Sequence, residues 1–129
     1  MRYQLNPGAV TEDIAALQER YPHLPSEYLS FLRRSDGGEG FLGLRPGYFQ
    51  LWRANEVAKF SCEYEIQKYV PGYVAVGSNG GGELYVLSTT GWPPGIFMVP
   101  TIGMSPDTLS KVAPSFTVFV SEFGNEYAD

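Results

Sequence analysis

A chain of 129 residues, 43% hydrophobic and 18% charged, has the balance of one globular domain (residues 1–129) and holds no block biased toward disorder. The net charge of −5 gathers late: residues 1–68 carry nine acids against eight bases, but beyond Lys68 only Lys111 faces Glu83, Asp107, Glu122, Glu126 and Asp129. A nucleic-acid backbone asks for the opposite sign, so direct nucleic-acid binding is disfavoured, whereas a basic protein partner would be steered toward such a surface. Cys62 is the single cysteine, which excludes an internal disulfide and suits a reducing compartment. The opening MRYQLNPGAV lacks the apolar core of a signal peptide, and no apolar run reaches the roughly 20 residues of a membrane span. The expectation is a cytoplasmic protein without a membrane partner. Aromatics reach 15%, which fits either a contact surface or a β-rich core.

Along the chain, TEDIAALQERY predicts a helix capped by Thr11, with Glu12 and Asp13 in its first turn and Ile14, Leu17 and Tyr21 on one face; Pro22 ends it. A second helix starts at Pro25, buries Tyr28, Leu29, Phe31 and Leu32, and stops at Gly37 acting as a left-handed terminator. From Gly40 the period changes, and GFLGL and GYFQLW read as strands. ANEVAKF suits a helix capped by Asn55. Between Phe60 and Tyr69 the alternation of Phe60, Cys62, Tyr64 and Ile66 with polar residues has strand period inside a segment that starts helically, so helix and strand both stay open. YVAVGS, ELYVLS and GIFMVP are β-type segments, and Ser115 caps a helix with Phe116, Phe119, Val120 and Phe123 on one face. Strands cluster instead of alternating with helices. That predicts an α+β fold: a central, mainly antiparallel sheet with an N-terminal helix pair and a C-terminal helix packed against it.

Two glycine-rich stretches invite a nucleotide reading. GEGFLG (38–43) fits G-x-G-x-x-G, but a helix precedes it and strand-like residues follow, the inverse of the dinucleotide context. In GSNGGGELYVLS (77–88) Glu83 stands where a phosphate loop needs lysine, and Asn79-Gly80 signals a hairpin instead. His23, the only histidine, could meet Cys62 or a serine only through folding, and one His with one Cys does not complete a zinc site without carboxylates. SDGGEG lacks the alternating oxygens of a calcium loop. Neither catalytic residues nor a cofactor or metal are expected.

The order of landmarks resembles the SUKH superfamily, which includes yeast cell-wall synthesis regulators and many bacterial immunity proteins. Leu24-Pro25, Tyr28, Phe31-Leu32 and Asp36-Gly37-Gly38-x-Gly40 are similar to its opening signature. Glu56-Val57, Tyr64, Pro71-Gly72, Val76-Gly77, Gly81-Gly82 and Pro100 then follow in order, and VAPSFTVFV, with Ala113, Ser115 and Phe116, resembles its last helix. The resemblance covers residues 22–123. Three positions depart from the pattern: Asp36 for a frequent asparagine, Asn79 for a frequent aspartate, and Ser88 where an acid is common. The resemblance implies an antiparallel α+β domain, no shared catalytic motif, and protein binding.

The leading functional expectation is therefore a non-catalytic immunity protein that binds and neutralises a cognate polymorphic toxin, nucleases being among the toxins in view. A regulatory scaffold binding cellular proteins is the alternative from another class; a small-ligand domain or hydrolase around His23 is the third. Expected aromatic anchors are Tyr48, Trp52 and Trp92, with Asp36, Glu39, Glu63, Glu65 and Glu83 as acidic contacts. The sequence sets no oligomeric state.

Overall fold

The computed structural model describes residues 3–41 and 47–122. Within them seven strands form one curled sheet in which sequence order is spatial order and every neighbouring pair is antiparallel. The strands are β1 Tyr3–Leu5, β2 Gly38–Phe41, β3 Tyr48–Leu51, β4 Tyr73–Ser78, β5 Glu83–Ser88, β6 Ile96–Pro100 and β7 Ser110–Ala113. Helices α1 Thr11–Arg20 and α2 Ser26–Arg34 lie between β1 and β2, α3 Ala54–Glu63 and α4 Ile66–Tyr69 between β3 and β4, and α5 Phe116–Ser121 follows β7. The α+β class, the antiparallel sheet, the N-terminal helix pair and the C-terminal helix are as expected. Strands β1 and β7 are not among the expected strands; they are short edge strands, largely exposed and too brief to show a period.

The helix caps need correcting. Val10, in extended conformation, precedes α1, so Thr11 is its first residue and not its cap. Pro25 sits one residue before α2. Asn55 lies inside α3, reaching Asp13 Oδ2 with its Nδ2 at 3.5 Å. The N-terminus of α3 is instead satisfied from two sides: from a distance Asp36 Oδ1 accepts the Ala54 N–H at 2.7 Å, and within the first turn Glu56 Oε1 accepts the Arg53 N–H at 2.9 Å. Gly37 adopts φ +78° but lies beyond the end of α2, and a Cβ there would stand 2.4 Å from the Leu51 carbonyl oxygen. Close strand approach, not helix termination, requires glycine at this position.

Residues 60–69 resolve as helix, break, helix. α3 runs to Glu63, Glu65 takes left-handed φ 58° and ψ 42°, and α4 follows. Phe60 and Tyr64, four apart, both pack on Trp52, a helical pairing that the alternating polar residues conceal. Ser115 caps α5 as expected, accepting the Val118 N–H at 3.1 Å. Glu27 of α2 adds a second tie, its two oxygens accepting from Phe116 N–H (2.7 Å) and the Thr117 hydroxyl (3.1 Å). The expected Phe123 of that helix, like Leu42 to Leu44 of the GFLGL strand, lies outside the described residues.

The core between the sheet and α2 and α5 is aromatic. Phe116 meets Tyr28 and Phe31 edge-on at 5.0 and 5.3 Å, while Phe119 contacts Phe49 of β3 and Tyr85 of β5. On the other side of β4, β3 ends at Leu51 and α3 takes its place. The buried Ser61 hydroxyl accepts the Ala75 N–H and donates to the Ala75 carbonyl, both at 3.0 Å, supplying what an adjacent strand would have supplied. Tyr28 presents the opposite case: its hydroxyl is buried and has no hydrogen-bond partner among the described residues, and burial, with the Asp36 charge adding, pushes its pKa far above the ordinary phenol value.

Three stability predictions result. Ser61→Ala strands two buried backbone groups and is expected to cost about 2–4 kcal/mol in denaturant unfolding, whereas Tyr28→Phe removes an unsatisfied hydroxyl and should be neutral or stabilising by up to ~1 kcal/mol. Asp36→Ala should cost about 1–2 kcal/mol through the lost support of α3, and Asp36→Asn, which keeps an acceptor oxygen, clearly less. Equal losses for Asp36→Ala and Asp36→Asn would show that the Ala54 hydrogen bond is not what matters there.

Candidate functional site

In an antiparallel sheet, directly paired residues share a face. Gln4 pairs with Glu39, Glu39 with Gln50, and Gln50 with Ser78, so one polar row crosses β1, β2, β3 and β4. Phe41 and Tyr48 form the next row, edge to face at 5.6 Å, and the Tyr48 hydroxyl donates to Glu39 Oε2. That hydrogen bond to a carboxylate raises the Tyr48 pKa above its ordinary value. This face is wet: Gln4, Glu39, Phe41 and Gln50 are exposed.

The row ends in a depression. Trp52, one residue past β3, is buried with Phe60 edge-on at 5.0 Å and with Tyr64 parallel to it, planes 4° apart and centroids 6.2 Å apart. Sheet and helix diverge here. They leave a groove of about 530 Å³ walled by Gln50 and Ser78 on one side and by Glu56, Phe60, Glu63 and Tyr64 on the other, with Trp52 among its lining residues. An adjoining hollow of about 330 Å³ shares Gln50, Trp52 and Glu56 and continues past Arg53 and Glu39 to Gln4 and Asn6. Carboxylates of Glu39, Glu56 and Glu63 therefore border one continuous surface. Among the described residues the one basic side chain lining it, Arg53, has its Nη1 3.7 Å from Asp36 Oδ2. Such a surface offers an aromatic wall, amide and hydroxyl groups, and negative charge; it suits recognition of a partner better than bond-making.

The structure brings together Glu39, Tyr48, Trp52 and Glu63 of the expected contact residues. The other four lie elsewhere. Asp36 is buried, its carboxylate occupied by Ala54 and Arg53. Glu65 forms the left-handed break before α4 and pairs with Lys68 at 3.6 Å. Glu83 opens β5 and accepts from Asn79 Nδ2 at 3.0 Å. Asn79 Oδ1 in turn accepts the Gly81 and Glu83 N–H groups at 2.8 and 3.1 Å, so the glycine-rich stretch is the expected hairpin loop, with its amides turned inward. Trp92 is 75% exposed in the loop before β6, beyond both hollows, its carbonyl held by the Ser88 hydroxyl at 2.7 Å and the Thr90 hydroxyl at 3.1 Å. Sequence reasoning missed Gln4, Gln50, Glu56, Phe60 and Tyr64. Helical spacing linking Glu56, Phe60, Glu63 and Tyr64 would have found four of the groove's residues once α3 was extended to Glu63.

His23 and Cys62 are both exposed, and the separate cavity of about 250 Å³ that Cys62 lines with Arg20 and Tyr21 does not include His23. Among the described residues no three of the His, Cys, Asp and Glu side chains gather as a metal site. GEGFLG contributes β2, where a Cβ on Gly38 would stand 2.5 Å from the Gln4 carbonyl oxygen; its start serves strand packing. No curated protein matches the chain. A family model described as the SMI1 / KNR4 family (SUKH-1) matches residues 8–122, a span that includes α1 through α5 and β2 through β7. With that match over most of its length, this chain belongs to the SMI1/KNR4 family (SUKH-1).

Proposed function

We propose that this protein is a cytoplasmic immunity-type binding domain that neutralises a cognate polymorphic toxin by holding it, with no chemistry of its own. One observation carries the reading: the groove at Trp52 gathers an aromatic wall and three carboxylates on a surface that no element of the described chain covers. Tight protein complexes rely on a few aromatic and charged anchors within a larger polar rim, and this surface offers both. Glu39, Tyr48, Trp52 and Glu63 are the contact residues within it, joined by Glu56 and Tyr64; Trp92 would serve as a separate contact from its own loop. Family membership supports a protein partner, and the net charge of −5 favours a basic one. Among the described residues no helix is long and apolar enough to cross a membrane.

The test is protection of cells. Co-expression with the effector domain encoded beside this gene should restore growth, and the purified pair should co-elute. Trp52→Ala is a poor probe, because removing a buried tryptophan costs about 3–5 kcal/mol of stability. The double reversal Glu39→Lys with Glu63→Lys is better: both residues are exposed, so Tm should move by only about 2–4 °C while affinity for a basic toxin falls at least about tenfold. Unchanged affinity would remove this surface from the interface. A locus with no effector gene, or no rescue despite good expression of both proteins, would overturn the immunity reading in favour of a regulatory scaffold.

A further inference from the structure

We infer that the groove beside Trp52 is built to take an arginine side chain of the bound protein. The inference rests on the protein-binding reading above and names the chemistry that the groove recognises. The helix wall presents Phe60 and the Tyr64 ring, 42% exposed and parallel to the Trp52 indole. A flat aromatic surface favours a planar cation through stacking and the ring quadrupole. The carboxylates flank that surface on the same helix. Among the described residues the Glu63 carboxylate has neither a hydrogen bond nor an ion pair, and Glu56 commits Oε1 to the Arg53 N–H. Across the groove, the Gln50 side chain has no hydrogen-bond partner among the described residues and can accept through its amide oxygen.

These features discriminate between occupants. An apolar side chain would bury the Glu56 and Glu63 carboxylates without compensation, and an anion would be repelled by them. A guanidinium carries five N–H donors in a planar fork, matching acceptors on two walls while its face lies on the tyrosine. Lysine offers a point charge without the stacking plane. At about 530 Å³, the groove has room for one long side chain and the backbone on either side of it.

The test uses the full chain and a defined probe, N-acetyl-arginine N-methylamide, titrated by NMR with the citrulline and lysine counterparts as controls. Arginine should shift the Trp52 indole N–H and the Phe60 and Tyr64 amides together, half-saturating on the order of 1–10 mM, as expected for so small a ligand. Citrulline, of the same shape but uncharged, should bind at least about tenfold more weakly, and lysine more weakly than arginine. Glu63→Gln should weaken the arginine probe at least about threefold while leaving Tm in place, since Glu63 is exposed; Tyr64→Ala, which also loses packing on Trp52, should weaken the probe by a similar factor through the lost stacking. Equal binding of citrulline or lysine, shifts scattered away from the groove, or indifference to Glu63→Gln would overturn the inference. If arginine fails while the unmodified protein still protects cells, this inference falls alone. If arginine binds as described but no toxin is neutralised, the arginine site stands and the immunity reading falls.

Discussion

A single hydrogen bond, from the Ala54 amide to the Asp36 carboxylate, sets where α3 begins and so where the groove's helix wall stands. Asp36 can do this because it is itself fixed on both sides. Its N–H donates to the Pro7 carbonyl at 2.9 Å and its carbonyl accepts from Asn6 Nδ2 at 2.8 Å, binding the segment after β1 to the link between α2 and β2. An acid at a helix N-terminus satisfies an orphan amide and complements the helix dipole. Gly37, next in the chain, lets the backbone press against Leu51 and Trp52. Chain segments far apart in sequence thus converge on one residue, and the groove inherits its geometry from that convergence.

The same logic recurs where regular structure runs out. β3 is too short to accompany β4, and Ser61 completes the edge with one hydroxyl; α5 is short, and Glu27 holds its first turn from α2. Each is a polar side chain meeting a backbone requirement that the adjoining element leaves open. Bulk cohesion comes from the aromatic layer around Phe116 and Phe119, but these few polar contacts decide how the helices are seated.

Much of this was legible in the sequence because the signals were local. Ile14 and Leu17 on one helical face, Asn79-Gly80 at a hairpin, and Ser115 before Phe116 each act within a few residues, and the structure keeps all three elements. What escaped was decided at long range. Nothing near Ala54 reveals that its amide is satisfied from Asp36, and the local sequence points to Asn55 for the cap instead. Edge strands β1 and β7 gain their status only by pairing with β2 and β6. The groove was half visible for the same reason: Trp52 and Glu63 stand out by residue type, whereas Gln50 and Glu56 become site residues only when β3 and α3 diverge around them.

The groove's floor and its rim divide the work: Trp52 and Phe60 belong to the packed interior, whereas the exposed carboxylates at the rim do not hold the domain together. Glu39 and Glu63 are exposed side chains on β2 and α3, whereas Asp36, Ser61 and Glu27 do the seating. Exchanges at exposed positions usually alter stability by less than about 0.5 kcal/mol, so the charge of this surface can change one residue at a time while the fold is kept. The domain is in that sense a stable frame whose exposed charges can be exchanged while the frame is kept.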